Sequence, residues 1–228
     1  MEGHIVRTFD GDILALRLRV LELGGLVIDQ VQRAVQAVVR DDEDPAHAVI
    51  GRTPQLTAYA RAIEEDIVGL IARRQPVAVD LRAILTIGRV SGDLERGAGA
   101  ARKIARLALE LHDPVRTAPQ RFYNDVRKMS RLALAMLRDA LDCFDRVDLE
   151  GAEAVRERDH ELDAEFQLAL RALVTYVMED PRCLASTIQT VFVIKALERV
   201  GDHARNIAAL LPRLAHREEA PPAQLVGR

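Results

Sequence analysis

The chain of 228 residues contains no tryptophan, and aromatic residues make up only 4% of it. A base-stacking platform of the kind that binds single-stranded nucleic acid is therefore not expected. A basic face is not indicated either, because 32 Lys and Arg residues are balanced by 35 Asp and Glu residues. Nucleic-acid affinity rests on an excess of positive charge, so these shortages argue against nucleic acid as a partner.

Long apolar runs are also missing. No uninterrupted stretch approaches the ~18 apolar residues of a membrane-spanning helix. The polar start, Met1 to His4, lacks the apolar core of a signal peptide. We therefore expect a cytoplasmic protein with no direct membrane insertion.

Cysteine is scarce. Cys143 and Cys183 are far apart in the chain, and no C-x-x-C spacing occurs. A zinc cluster or a disulfide framework is not predicted from this pattern. Two reduced thiols in a helical core, as in a reducing compartment, are the expected state.

Strand signals are nearly absent, whereas apolar residues recur every three or four positions, which predicts helices. Asp44 and Pro45 suit the start of a second helix, and Asp80 suits the cap of a third that continues to about Leu111. Asp148 suits the cap of the fifth. The apolar face of the first helix consists of Leu16, Val20, Leu23, Val27, Val31, Ala34 and Val38. The fourth, fifth and sixth helices are predicted at roughly 121–146, 149–179 and 183–215.

The two halves of the sequence repeat each other. Ala48-Val49 aligns with Ala154-Val155, and Leu94-Glu95-Arg96 aligns with Leu197-Glu198-Arg199, at offsets of 106 and 103 residues. The prolines within 112–120 indicate a linker between the halves. The sequence therefore predicts an all-α fold, a tandem repeat of two antiparallel three-helix bundles. Residues 1–113 form the first, 114–216 the second, and 217–228 a disordered tail.

Side-chain oxygens are spaced for one helix face in the second half. Glu198, Asp202 and Asn206 follow one another every four residues, as do Asp159 and Asp163 on the preceding helix. On two antiparallel helices, these groups would gather four carboxylates and an amide. Oxygen ligands of this kind suit Mg²⁺, Mn²⁺ or iron. The alternative is a pair of solvated helix faces, with the acids neutralised by Arg158, Arg199 or Arg205.

An enzyme is not expected. Glu157 and His160 form one E-x-x-H, the half-motif of di-iron carboxylate bundles. The first half lacks a second copy, and both His160 and His203 are expected on the surface. No Ser/His/Asp set or glycine-rich phosphate loop is recognisable. A di-iron-type enzyme therefore remains only as an alternative function.

Several motifs in a fixed order carry a family resemblance. They are Arg74-Gln-Pro-Val-Ala-Val-Asp-Leu-Arg82, Ser91-Gly-Asp-Leu-Glu-Arg96, Thr175-Tyr-Val-Met-Glu-Asp-Pro-Arg182, the stretch from Glu198 to Ala208, and the opening His4 to Asp10. Over roughly residues 4 to 215 the chain resembles the PhoU family of bacterial phosphate-transport regulators. The resemblance implies two similar three-helix bundles, each with an E/D-x-x-x-D motif, that can bind metal clusters.

The implied function is that of a non-catalytic cytoplasmic adaptor. Such a protein links the ATPase subunit of the phosphate ABC importer to a sensor histidine kinase, and acts as a negative regulator of the phosphate-starvation response and of phosphate uptake. Arg74, Asp80 and Arg82 are candidate partner-binding residues, with helix capping and ion pairing as the alternative. We also expect a homodimer. A metal-free helical scaffold is the remaining alternative.

The resemblance transfers metal ligands to the second bundle only. A divalent or trivalent ion, such as iron, Mn or Mg, is expected there on the five residues that match the motif: Asp159, Asp163, Glu198, Asp202 and Asn206. The first bundle departs from the pattern. Its equivalent positions are Glu95, Gly99, Lys103, Thr53 and Thr57, which leave one carboxylate, two hydroxyls and an inserted cation.

Overall fold

The computed structural model describes residues 2–76, 78–111 and 120–218, and within them every long element is a helix. Its helices are α1 (Glu2–Arg40), α2 (Glu43–Arg74), α3 (Ala78–Leu111), α4 (Gln120–Arg146), α5 (Leu149–Glu179), α6 (Leu184–Leu210) and α7 (Pro212–Glu218), with a 3₁₀ turn at Pro181–Cys183 before α6. This confirms the predicted all-α class.

Six of the helices form two three-helix bundles. Helices α1, α2 and α3 pack on one another, as do α4, α5 and α6, and the bundles meet mainly where α3 lies against α6. These two helices run antiparallel, because Lys103 lies over the ring of Phe192 while Glu110 accepts a hydrogen bond from Gln189 at 3.3 Å. Repeat-related positions, 103 residues apart, thus lie on facing helices, as an approximate twofold axis between the repeats would place them.

Helix α5 begins and ends where the sequence predicts. Asp148 is its N-cap, and the side chain accepts a hydrogen bond from the backbone N–H of Gly151 at 3.0 Å. The prediction for α2 was wrong by two residues, because Asp42 caps this helix by accepting from the N–H of Asp44 at 3.1 Å. Asp80 does not cap α3, because this helix begins at Ala78. The residue lies within the first turn, where its negative charge interacts favourably with the positive end of the helix dipole.

The sixth helix is shorter than the predicted 183–215. It ends at Leu210, and α7 begins after Leu211. Pro212 has no N–H to continue the helical hydrogen bonds, and the new helix instead packs on α3. The predicted linker and tail lie outside the described residues, except that Gln120 begins α4 and residues 217–218 belong to α7.

The bundles share one continuous apolar core. All seven residues predicted for the inner face of α1 are buried, and Val20, Leu23, Val27 and Val31 are fully so. Cys143 and Cys183 are free and buried, as predicted. Burial at about 25 cal/mol per Å² of apolar surface makes this shared core the main stabilising contribution to the fold.

Candidate functional site

An acidic cluster lies where α5 faces α6 in the second bundle: Asp159, Asp163, Glu198 and Asp202. Asp159 is only 4% exposed. Its Oδ2 atom lies 3.0 Å from Nη1 of Arg205, and Nη2 of the same guanidinium lies 3.4 Å from Oδ1 of Asp202. A single arginine therefore joins the two aspartates. Of the three arginines considered from sequence, Arg205 is the one that fills this role, whereas Arg158 pairs with Asp139.

Burial dominates the electrostatics of Asp159. It raises the pKa of this carboxyl group above the ordinary value, Arg205 opposes the shift, and the neighbouring charges of Asp163 and Asp202 add to it. The pKa of Asp159 remains raised because one partly exposed guanidinium does not replace the lost hydration.

Glu198 is held by a different cation. Its Oε1 atom lies 2.5 Å from Nζ of Lys195, one turn earlier on α6, and this ammonium also lies over the ring of Phe166. The other carboxylate oxygen, Oε2, is buried and has no hydrogen-bond partner. A buried carboxylate oxygen without a donor is costly, so Glu198 has capacity for one more positive or hydrogen-bonding group.

Two predicted ligands, Asp163 and Asn206, lie outside these ion pairs. Asp163 is exposed. The amide of Asn206 donates a long, 3.4 Å hydrogen bond to Asp93 on α3 instead of turning to α5. Across the part of the chain that the structure describes, no three His, Cys, Asp or Glu side chains are arranged to hold one metal ion. In this conformation, Arg205 and Lys195 are the cations that pair with the acidic cluster.

The equivalent surface of the first bundle has little capacity for a cation. Thr53 is buried and donates its hydroxyl to the carbonyl of Val49 at 2.9 Å. Gly99 contributes no side chain, and Lys103 is directed to Phe192, with Nζ 5.1 Å from the ring centroid. Glu95 is therefore the sole carboxylate of the set.

A polar contact between the bundles was missed by the sequence analysis. Asp93 of α3 is 4% exposed, and its Oδ1 lies 3.0 Å from Nδ1 of His203 on α6 and 2.7 Å from Nη2 of Arg96. The expectation that His203 is a surface residue was wrong: it is 9% exposed, because α3 covers this side of α6. No local spacing pairs residues 110 positions apart, so only the packing of the repeats could reveal it.

The three candidate partner-binding residues lie around the α2–α3 junction. Arg74 forms an ion pair with Asp12 of α1, at 3.1 Å. Asp80 lies in the first turn of α3, and Arg82 is exposed. Glu157 and His160, the E-x-x-H pair, are both exposed on α5 and so do not point into the bundle.

A family model described as the PhoU domain matches residues 20–108 and 126–211, one match in each bundle. The chain belongs to the PhoU family. Its match to the phosphate-specific transport system accessory protein PhoU homolog of Pseudomonas putida is 41% identical over 208 residues, and covers 91% of this chain and 80% of that protein. The PhoU protein of Escherichia coli is 34% identical over 215 residues, with 92% and 86% covered.

Solved structures of PhoU proteins share the fold. The crystal structure of PhoU from Pseudomonas aeruginosa superposes with a TM-score of 0.86 at 39% identity, covering 91% of this chain and 99% of that one. The phosphate transport system regulatory protein PhoU from Streptococcus pneumoniae gives 0.81 at 26% identity, covering 95% and 100%. No helix in the described ranges of this PhoU family member is both long and apolar enough to cross a membrane.

Proposed function

We propose that this chain is an accessory protein of phosphate-specific transport that acts as a cytoplasmic negative regulator of phosphate uptake and of the phosphate-starvation response. The observation that carries the proposal is its membership of the PhoU family along both bundles. Relatives from two genera that are named phosphate-specific transport system accessory proteins match about nine tenths of the chain. An accessory role implies association with the transporter.

The mechanism we propose is that of a non-catalytic adaptor. It binds the ATPase subunit of the phosphate ABC importer and the phosphate-sensing histidine kinase, so that the kinase stays silent while phosphate is plentiful. Long helices with exposed apolar side chains support such a role, because helical faces offer surfaces for partner helices. Among the described helices, exposed Leu14, Leu18, Ile188 and Phe192 are such positions. A homodimer belongs to the same proposal.

Deletion of the gene in its host tests the function. We expect alkaline phosphatase and other starvation-induced activities to rise in phosphate-rich medium, and a plasmid copy to restore repression. Repression that persists without the protein would contradict the proposal. Copurification of the two partners with the tagged chain, measured in both phosphate conditions, tests the adaptor mechanism separately.

We also propose that the acidic cluster takes up a divalent or trivalent cation, with iron, manganese and magnesium as the candidates. The free Oε2 of Glu198 supports this, as does the raised pKa of buried Asp159. Asp163 and Asp202 would complete the set together with Asn206 once Arg205 and Lys195 turn outward. The bound ion would supply positive charge that links α5 to α6.

A metal-free adaptor is the second candidate, and the bridge that Arg205 forms between Asp159 and Asp202 favours it. Elemental analysis of the protein purified without chelators distinguishes the two candidates. About one metal ion or more per chain supports the cation proposal, whereas none after incubation with each of the three metals supports the metal-free form.

A further inference from the structure

An open groove runs between the two bundles, where α2 and α3 face the end of α6 and α7. Its volume is about 840 Å³. Ile67, Val68, Leu85 and Leu210 give it an apolar wall. Val68 and Leu85 are unusually open to solvent, at 67% and 46%. We refer to this feature as the inter-bundle groove.

Arginines give the inter-bundle groove a positive charge. Arg89, Arg96 and Arg213 line it, together with the acids Glu64 and Asp93. Asp93 already forms an ion pair with Arg96 and contacts His203. Within the described residues, Arg89 and Arg213 have neither a hydrogen bond nor an ion pair. Glu64 is the remaining acid of the lining, so the two guanidinium groups exceed it by one positive charge and are available to an anionic partner.

The lining of the groove differs from the repeat-related surface beside the second bundle. Gly88 and Gly92 line it, and 103 positions later α6 carries Val191 and Lys195. Arg89 of the groove corresponds in the same way to Phe192. Lys103, the counterpart of Asn206, lies over the Phe192 ring at 5.1 Å. The second bundle therefore carries larger side chains at these positions, where the first bundle has two glycines in the lining of the groove.

The shape of the groove indicates which class of ligand it can bind. Small-molecule sites enclose most of the ligand surface, whereas this groove is lined by exposed side chains on both rims. From Leu85 to Arg96 it follows twelve residues of α3, whose eleven steps span about 16 Å at the helical rise, or roughly three turns. A groove of that length, with apolar side chains from α2, α3 and α6 beside unpaired arginines, matches an amphipathic segment that carries acidic residues.

We propose that the inter-bundle groove docks an acidic, amphipathic segment of a partner protein, with its apolar face on Val68 and Leu85 and its carboxylates on Arg89 and Arg213. The proposal rests on the adaptor function and assigns the surface through which a partner binds. Arginine is suited to this role because its planar guanidinium can pair with a carboxylate through two hydrogen bonds.

The test combines a charge reversal with a crosslink in cells. The groove variant is Arg89→Glu/Arg213→Glu. The matched control is Arg102→Glu/Arg106→Glu, which makes the same charge change at two exposed positions of α3 outside the groove. A photoreactive benzoylphenylalanine replaces Val68, or replaces Leu168 as an exposed control on α5. Equal melting temperatures establish that each variant is folded.

We expect a crosslink from position 68 and none from 168, and mass spectrometry should place it on a peptide with acidic and apolar residues. The groove variant should lose about tenfold in crosslink yield, since like charges in contact oppose binding, while the control keeps it. Replacing the acids of the crosslinked peptide with arginine should restore the yield to the groove variant.

Three results would overturn the proposal: no crosslink from position 68, a crosslink that survives the charge reversal, or an equal loss in the control. Repression of alkaline phosphatase in the same strains separates the two levels of inference. If deletion of the gene relieves repression but the groove variant represses normally, the groove proposal fails and the proposed function stands. If deletion has no effect, the proposed function fails, and the crosslinks alone decide the groove.

Discussion

Asp93 and His203 connect the two bundles, with Oδ1 of the aspartate 3.0 Å from Nδ1 of the histidine. Their counterparts at the 103-residue repeat are Ala196 and Ala100, both buried. The polar connection therefore occurs on one side of the α3–α6 contact, and an apolar one on the other. A polar pair in such a place orients the two helices, because its partners meet in only one register.

The first prediction concerns Asp93→Asn. The substitution keeps the shape of the side chain but removes the charge that His203 and Arg96 contact, so we expect a loss of about 1–2 kcal/mol in the free energy of unfolding at pH 7. Urea unfolding followed by circular dichroism measures it. Glu95→Gln, a neighbouring carboxylate of α3 with intermediate exposure, should change stability far less.

The pH dependence of this loss identifies its cause. Burial raises the pKa of Asp93, but the hydrogen bonds from His203 and Arg96 outweigh it, and the pKa lies below its ordinary value. A carboxyl group whose pKa is lower in the folded state stabilises the protein at pH values above its ordinary pKa of about 4. This stabilisation is lost as the pH falls through the pKa of the folded state. The difference in stability between wild type and Asp93→Asn should therefore shrink as the pH falls below about 4. An unchanged difference at pH 3 would show that the charge is not responsible.

The second prediction, for Asp159→Asn, has the opposite sign. The pKa of Asp159 is raised, chiefly by burial, so folding disfavours its ionised form. In metal-free protein at pH 7 the neutral amide should make the fold as stable as wild type or more stable. The difference in stability between the variant and wild type should disappear as the pH falls towards 4, because Asp159 of the wild type then becomes protonated. Thermal unfolding in the presence of a chelator measures it, with the exposed Glu161→Gln as control. A clear destabilisation at pH 7 would instead show that the ion pair with Arg205 outweighs the cost of burying the carboxylate.

The fold was predictable because its signals are local. The apolar face of α1, the cap at Asp148 and the proline breaks each depend on residues within a few turns of one another, and the repeat then supplied the architecture. The errors at Asp42 and Pro212 have the same origin. Asp42 and Asp44, two residues apart, are both suitable caps, and a proline near a helix end can stop the helix or begin the next one.

The site was predictable only in part. Four-residue spacing correctly places Asp159 and Asp202 near the α5–α6 contact, but spacing does not show which cation reaches them. Arg205 is three residues from Asp202 and can turn to either helix, while Asn206 turns to Asp93 on α3. The partners of these side chains are determined by packing between helices that are far apart in sequence. The same packing forms the inter-bundle groove.

The third prediction tests the close approach of α5 and α6. A Cβ atom at Gly201 would overlap with the Leu162 side chain and lie 3.6 Å from the sulfur of Met136. Leu162 is fully buried, so it cannot swing aside freely, and Gly201→Ala should cost about 1–3 kcal/mol. Gly99→Ala is the matched control on α3, since nothing lies within 4 Å of its added Cβ. It should stabilise the helix by about 0.5–1 kcal/mol, and chemical denaturation of both variants measures the contrast. Equal effects would mean that the helices can separate without cost.

The fourth prediction sets the cation proposal against the arginine bridge. Glu198→Gln removes the carboxylate with the free buried oxygen, whereas Glu95→Gln removes its counterpart in the first bundle. If the acidic cluster holds a metal, Glu198→Gln should lower the metal content per chain several-fold, and Glu95→Gln should leave it unchanged. Arg205→Ala should raise metal affinity, because it removes the cation that competes for Asp159 and Asp202. Mass-spectrometric elemental analysis and calorimetric titration with Mn²⁺ measure both effects. If instead Arg205→Ala lowers the melting temperature and adds no metal, the guanidinium is the permanent partner of the cluster, and the metal-free adaptor is the correct description.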